Sequence, residues 1–390
     1  MPAIVNLTRP QLDARISRYG ELREMTTRSV ELAGIAQDAV DIIFARKIMP
    51  VILDDTKNPF GSAAPIAGAA RTTMFISILP PGQGPCLHSH NETYETFFVL
   101  AGSIEYRIGD PVEQRVRLDK WDTFSCPPNV YRGFHNVGDT TAVQLTVITG
   151  LADGRDDVSM PDSVAREVRD AHGEGVLDTF RTVFHFDPAV AGRAPNHPAD
   201  KIHTPTQEAL AQRVARFGKL AEMTTRTSDL ATVPQAAIDL IFARKIMPVI
   251  LDNTKNPFGS SAPIIGAAHT TMFISVMPPG QGACLHSHND TYETFMVLDG
   301  QIEYHVGDPA AHTVTLNKWD AFSCPPGVYR GFRNCGTTDA VQLTVITGLA
   351  DGRDDASVPD SVKRQLRGEF GEEVVQAFAK LFSFDPPVAA

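Results

Sequence analysis

The sequence predicts a mainly β protein built as two tandem domains of one design, each a β-sandwich or barrel flanked by helices. Three observations carry this prediction. The chain repeats itself at a constant offset of 198 residues (His88/His286, Asp110/Asp308, Gly150/Gly348, Asp187/Asp385), without insertion from about residue 10 to the end. Within each repeat, short β-rich runs alternate with Gly, Pro and Asp at the spacing of an all-β sandwich or barrel. One glycine-bracketed stretch, GQGPCLHSHNETYETFFVLAG at residues 82–102, returns almost unchanged at 280–300.

Composition bounds the class. A length of 390 residues allows two or three ordinary domains, and 43% hydrophobic with 21% charged residues is the balance of a soluble globular protein. The net charge of −11, from 35 basic and 46 acidic residues, argues against a general nucleic-acid or anionic-membrane binder. No run of about 18 apolar residues is present, so no membrane span is expected. The N-terminal residues have no apolar core of secretory length, and the five cysteines are too few and scattered for a disulfide framework. A reducing, cytoplasmic setting is the expectation.

In chain order, residues 11–32 contain few breakers and are expected to be helical, as are residues 35–47, with Ile35, Val40, Ile43 and Phe44 at roughly helical spacing. Residues 49–53 read as extended, and Thr56-Lys-Asn-Pro-Phe-Gly as a turn. Strands are expected over 72–79, 87–90, 94–100, 103–108, 116–118, 123–126, 131–136 and 142–148. Pro161-Asp-Ser opens a helix, and a second helical segment covers about 175–184. The same order repeats 198 residues later. A Pro/Ala-rich link begins at Pro188 and suits a semi-rigid connector. The expected division is 1–190 for the first domain with its N-terminal helices, 191–205 for the linker and 206–390 for the second domain.

The repeated stretch carries the chemistry. His88 and His90 are one residue apart on an expected strand and so point the same way, because strand side chains alternate faces. Glu95, five residues on, can face them from the adjoining strand. His286, His288 and Glu293 reproduce the arrangement. Two imidazoles and a carboxylate make a candidate metal site, present twice.

The stretch resembles cupin motif 1, G-x5-H-x-H-x3–4-E-x6-G, at Gly82, His88, His90, Glu95 and Gly102, and again at Gly280, His286, His288, Glu293 and Gly300. A second cupin motif is similar to the segments from Trp121 to Asn136 and from Trp319 to Asn334. The resemblance implies a bicupin: two tandem cupin barrels of the double-stranded β-helix, or jelly-roll, kind. It also exposes a departure. Where the family has a third metal-binding His, this chain has Arg132 and Arg330, and a guanidinium offers a metal no lone pair. Asn129 stands for a motif glycine in the first repeat, and Trp121 and Trp319 stand for the leading glycines.

With metal retained, two histidines and one glutamate are the ligand set of the non-haem Fe(II) facial triad. Fe(II) is the first choice of divalent metal; Mn, Ni, Co or Zn also suit the set. Arg132 and Arg330 are then the catalytic and substrate-binding candidates, gripping a substrate anion or stabilising developing negative charge. The bland alternative is that each arginine pairs with its glutamate and leaves the site metal-free. Gln144 and Thr146, repeated as Gln342 and Thr344, place polar groups on one strand face. If that face points inward, Gln144 and Gln342 join the substrate-binding set; if outward, it is a solvated face. His135, three residues past Arg132, falls on the opposite strand face. Cys86, Cys126, Cys284 and Cys324 read as small buried hydrophobes rather than nucleophiles. The Asp153-Gly-Arg-Asp-Asp loop reads as turn and cap chemistry, not a calcium loop.

The expected function is a metal-dependent bicupin enzyme, first a non-haem Fe(II) dioxygenase acting on a small, anionic aromatic or dicarbonyl substrate. Alternatives are a metal-assisted lyase or isomerase, and a metal-free binding or storage bicupin. The expected partners are a small-molecule substrate and further copies of the chain in a homo-oligomer.

Overall fold

A computed structural model describes residues 4–25, 32–45, 47–53, 63–150, 158–187, 201–223, 230–243, 245–251, 261–348 and 356–386. The expected turn at 56–61, the Asp153 loop and most of the link after Pro188 lie outside the described residues. The chain divides into two compact units, Leu22–Lys219 and Met1–Glu21 with Leu220–Ala390. This differs from the 1–190 and 206–390 division in one respect: each repeat's opening arm belongs to the unit built from the other repeat.

The unit of residues 22–219 is built on a seven-stranded sheet, whose order is Val214–Ala215, Thr123–Cys126, Tyr94–Ala101, Ala142–Thr149, Thr73–Leu79, Lys47–Leu53, Ile66–Ala67. A three-stranded sheet of Arg132–Asn136, Ile104–Ile108 and Gln114–Leu118 faces it. Apolar residues alternate inward along these strands, so that Phe97 and Phe124 from the large sheet meet Tyr106 and Phe134 from the small one at ring separations of 5.0 to 5.4 Å. That aromatic cluster belongs to the buried core between the sheets. The fold is therefore mainly β, two jelly rolls of the expected kind. The unit holding residues 220–390 repeats the arrangement strand for strand.

The large sheet is buried on both faces. In Ala142–Thr149 the inward Gln144 and Thr146 are 0% and 5% exposed, and Val143, Leu145 and Val147 on the other face are also buried. The Gln/Thr face is thus the inner one, and the solvated alternative is excluded.

The helical flanks are shorter than expected. Residues 11–32 were expected to be helical. Instead, Arg9–Asp13 is a single short helix, Ile16–Ser17 pairs antiparallel with Phe322 and Ala321, and Tyr19–Glu21 is a 3₁₀ turn. The open edge of the Ala321–Cys324 strand accounts for this: it offers the arm's backbone an inter-strand partner, and tertiary pairing overrides local helix propensity. Arg15 fixes the arm, donating through Nε to the Ser323 carbonyl at 3.0 Å, and Arg18 pairs with Asp320 at 2.9 Å. The second repeat's arm does the same in the unit of residues 22–219, through Val214–Ala215, Arg213 on Ser125 at 3.0 Å and Arg216 on Asp122 at 2.8 Å. Gln37–Ile43, Asp162–His172 and Glu174–Arg181 are helices where helices were expected. Their apolar faces pack with Met160, Phe184 and Phe186 in a separate core.

Candidate metal centre

Three backbone features aim the motif side chains. His88 and Arg132 exchange reciprocal backbone hydrogen bonds of 2.9 and 2.8 Å, an antiparallel pair whose side chains share one face. His90 follows on the same face and accepts from the Asn129 N–H through its carbonyl at 2.8 Å. Glu95 comes from Tyr94–Ala101, opposite Cys126 on one side and Ile148 on the other. That strand ends at Gly102, whose φ of +81° and whose absent Cβ, which would lie 2.8 Å from Ala142, both call for glycine. Asn129 and Gly327 both have positive φ (61° and 72°), so the exchange of Asn for Gly between the repeats keeps one backbone shape.

The motif residues meet in space. Glu95 Oε2 is 3.4 Å from His88 Nε2 and 3.7 Å from His90 Nε2; Glu293 stands at the same distances from His286 and His288. In each repeat the three potential ligand atoms lie within 4.8 Å of one another. All six predicted metal-ligating residues are thus brought together, three by three.

Of the two readings open for the arginines, the pairing with glutamate is the one the structure shows. Arg132 is 0% exposed; its Nε donates to Glu95 Oε2 at 2.8 Å and its Nη1 to the Val130 carbonyl at 3.2 Å. Nη2 also lies 2.8 Å from Oε2, close enough for ion pairing, but it completes no hydrogen bond, so Nε carries the directional contact. Arg330 repeats the pairing with Glu293, at 2.8 Å through Nε and 2.6 Å through Nη2. As substrate grips, Arg132 and Arg330 are corrected: they sit behind the carboxylate and do not line the cavity in front of it. A fully desolvated guanidinium takes the nearest carboxylate as partner.

Gln144 and Gln342 are corrected in the same way. Both are 0% exposed, and each is spent within the fold: its amide oxygen accepts from Tyr106 or Tyr304, and its amide nitrogen donates to Thr146 or Thr344 at 3.1 or 3.2 Å. The threonines, not the glutamines, reach the cavity wall.

The donor set fits a divalent cation. His88 Nδ1 lies 3.0 Å from the Cys86 carbonyl, which can only accept, so Nδ1 carries the proton. In the neutral ring the lone pair then sits on Nε2, facing the Glu95 oxygen. Two electron-rich atoms turned toward each other are completed by a cation, and a second hydrogen bond that fixes the tautomer is the usual support for a metal-binding histidine. His286 is held in the same way by the Cys284 carbonyl at 2.9 Å. His90 Nδ1 meets the Thr93 hydroxyl at 3.0 Å.

Charge states agree with this. Burial opposes ionisation of Glu95, yet Arg132 together with His90 and His88 holds its carboxyl well below the usual range; Glu293 behaves alike beside Arg330. Burial, reinforced by the Arg132 charge, keeps His90 neutral well below its ordinary value, and His286 is lowered by burial and Arg330. Burial pushes the Cys86 and Cys126 thiols up to about 12, the behaviour of packing residues rather than nucleophiles. His135 lies on the outer face, partly exposed and 3.9 Å from Glu105, outside the site.

In front of the ligands is a cavity of about 180 Å³ in the first repeat and about 210 Å³ in the second. Its walls include Phe75, Phe134, Ile148 and Met160, with Ser77 and Thr146 as hydroxyl groups. Among the described residues lining the two cavities there is no lysine or arginine. The polar Ser77, on the expected strand 72–79, was not singled out in the sequence; its even spacing from Phe75 and Leu79 puts all three on one strand face.

Residues 75–149 and 273–346 match the cupin domain family. The chain carries two cupin domains in tandem. Among curated protein sequences, none matches it. Solved bicupin structures do. Lactobacillus farciminis oxalate decarboxylase, in a formate complex, aligns with a TM-score of 0.54 at 12% identity, covering 96% of this chain and 97% of that one. Brassica napus procruciferin, an 11S globulin, aligns with a TM-score of 0.52 at 12% identity over 88% and 93% of the two chains. A Bacillus subtilis oxalate decarboxylase mutant aligns at 0.52 and 14% identity over 94% and 84%. At such identity the likeness establishes the fold, and function rests on the site. No helix among the described residues is long and apolar enough to cross a membrane.

Proposed function

We propose that this bicupin is a divalent-metal enzyme, a non-haem Fe(II) dioxygenase by first choice, acting on a small and largely apolar organic substrate. The observation that carries the reading is the pair of Nδ1-anchored histidines and the carboxylate held at one wall of a cavity only large enough for a small molecule. Cavities of about 150 Å³ accommodate a single aromatic ring. The substrate preference is narrowed from the anionic class, because each arginine is committed to its glutamate.

His88, His90 and Glu95 would hold the metal in the first repeat, and His286, His288 and Glu293 in the second. A metal held there would supply Lewis-acid chemistry toward substrate and dioxygen. The chain's own residues do the rest. Arg132 anchors Glu95 and keeps it ionised, the Cys86 carbonyl sets the His88 tautomer, and Phe75, Phe134 and Ile148 exclude water.

The arginine–glutamate pair is the observation that favours a second reading, a metal-free binding bicupin. Metal analysis of protein purified without added metal separates the two: about two equivalents per chain, or recovery of that content after anaerobic Fe(II) addition, is expected. Negligible content after addition favours the metal-free reading. Oxygen uptake with a panel of aromatic and dicarbonyl compounds is the expected activity. Anaerobic turnover without uptake transfers the assignment to a metal-assisted lyase or isomerase.

A further inference from the structure

Two hydroxyls in each cavity have no part in holding a metal. Ser77 and Thr146 lie on neighbouring antiparallel strands, Thr73–Leu79 and Ala142–Thr149. The register sets Thr146 opposite Phe75 and Gln144 opposite Ser77, so the two hydroxyls are diagonal neighbours on the inner face. They are 4% and 5% exposed and both line the cavity. Ser275 and Thr344 repeat them.

The threonine is oriented from behind. The Tyr106 hydroxyl donates to Gln144 Oε1, and Gln144 Nε2 donates to Thr146 Oγ1 at 3.1 Å. In the second repeat Tyr304 stands 2.5 Å from Gln342 Oε1 and Gln342 Nε2 stands 3.2 Å from Thr344 Oγ1. A separation of 2.5 Å belongs to O–H···O and is too short for N–H···O, so the amide oxygen faces the tyrosine and the amide nitrogen faces the threonine. Each threonine oxygen is therefore an acceptor within the fold. Its own proton has no acceptor among the described residues and is free to point into the cavity. The Ser77 hydroxyl beside it makes no hydrogen bond among the described residues.

We propose that Thr146 and Thr344, with Ser77 and Ser275 beside them, are specificity-determining donors that seat an acceptor oxygen of the ligand. The ligand class is then small, mainly apolar molecules carrying a carbonyl or ether oxygen. This rests on the reading that the cavity is the substrate site, and not on the metal.

The test uses the full chain stripped of metal, so that chelation contributes nothing, and ligand-observed NMR with two probes of one shape, cyclohexanone and methylenecyclohexane. The double variant Thr146→Val/Thr344→Val is expected to weaken cyclohexanone binding about three- to tenfold, the effect of one hydrogen bond, and to leave methylenecyclohexane within about twofold. Thr146→Ser/Thr344→Ser, which keeps the hydroxyl, is expected to restore binding. Ser77→Ala/Ser275→Ala orphans no internal partner; it is expected to act in the same direction and serves if the valine variant does not fold. Equal cyclohexanone affinity in wild type and variants overturns the proposal, as does equal weakening of both probes, or no binding of either probe to the wild type. Metal content is measured separately on reconstituted wild type, so loss of the metal reading leaves the probe comparison intact.

Discussion

Arg132 has no solvent exposure, and a charge so placed persists only beside a partner; Glu95 supplies it. Arg132→Met is therefore expected to destabilise the fold by about 3–5 kcal/mol near neutral pH, because it strands a buried carboxylate. The pH dependence has a definite sign. In the wild type the Glu95 carboxyl is held below its ordinary 4.5, so its ionised form adds stability above that pH, and the contribution fades as pH falls through the lowered folded value. Without the arginine, burial raises the carboxyl, and ionising it costs stability as pH rises. Urea unfolding from pH 4 to 8 should show the gap between wild type and variant widening with pH; a gap independent of pH contradicts the pairing. His88→Ala and His286→Ala should each remove roughly half of the bound metal, measured on the same preparations. The ligands were legible in the sequence because His-x-His spacing on a strand is local geometry. The fate of Arg132 was not, since it depends on a glutamate 37 residues away. Thr146 and Gln144 share strand parity, which predicts a common face but not which of them is nearer the cavity.

At the scale of elements, the strands were legible because turn residues punctuate them. The expected 94–100 and 142–148 correspond to Tyr94–Ala101 and Ala142–Thr149. Residues 11–32 were misread because a breaker-free stretch shows helix propensity and nothing of the strand edge waiting for it elsewhere in the chain. Close approach between elements gives a sharper prediction. A Cβ on Gly84 would lie 1.8 Å from the Phe134 carbonyl oxygen, whereas one on Gly175 meets nothing within 4 Å. Gly84→Ala is expected to destabilise by about 3 kcal/mol or more, since the obstacle is backbone. Gly175→Ala, in the Glu174–Arg181 helix, should be neutral or stabilise by up to about 1 kcal/mol. Thermal melts of the pair test this, and equal midpoints contradict it.

Across the whole molecule, the duplication was plain in the sequence, but the exchange of arms between repeats was not, because offset and similarity say nothing about which copy an arm joins. The Ser323 N–H donates to the Arg15 carbonyl at 2.9 Å, and the Ser125 N–H to the Arg213 carbonyl at 2.9 Å. Deleting residues 1–21 should speed hydrogen exchange at the Ser323 amide at least about tenfold while leaving Ser125 protected. Loss of protection at both, or at neither, contradicts the assignment. The arms also bear on how the chain can be divided. A cut after Pro188 would leave two fragments, each carrying the strand that completes a sheet founded on the other. The repeats, supplied as separate polypeptides, would thus be complementing halves rather than two independent small proteins, and either one alone would present an open sheet edge.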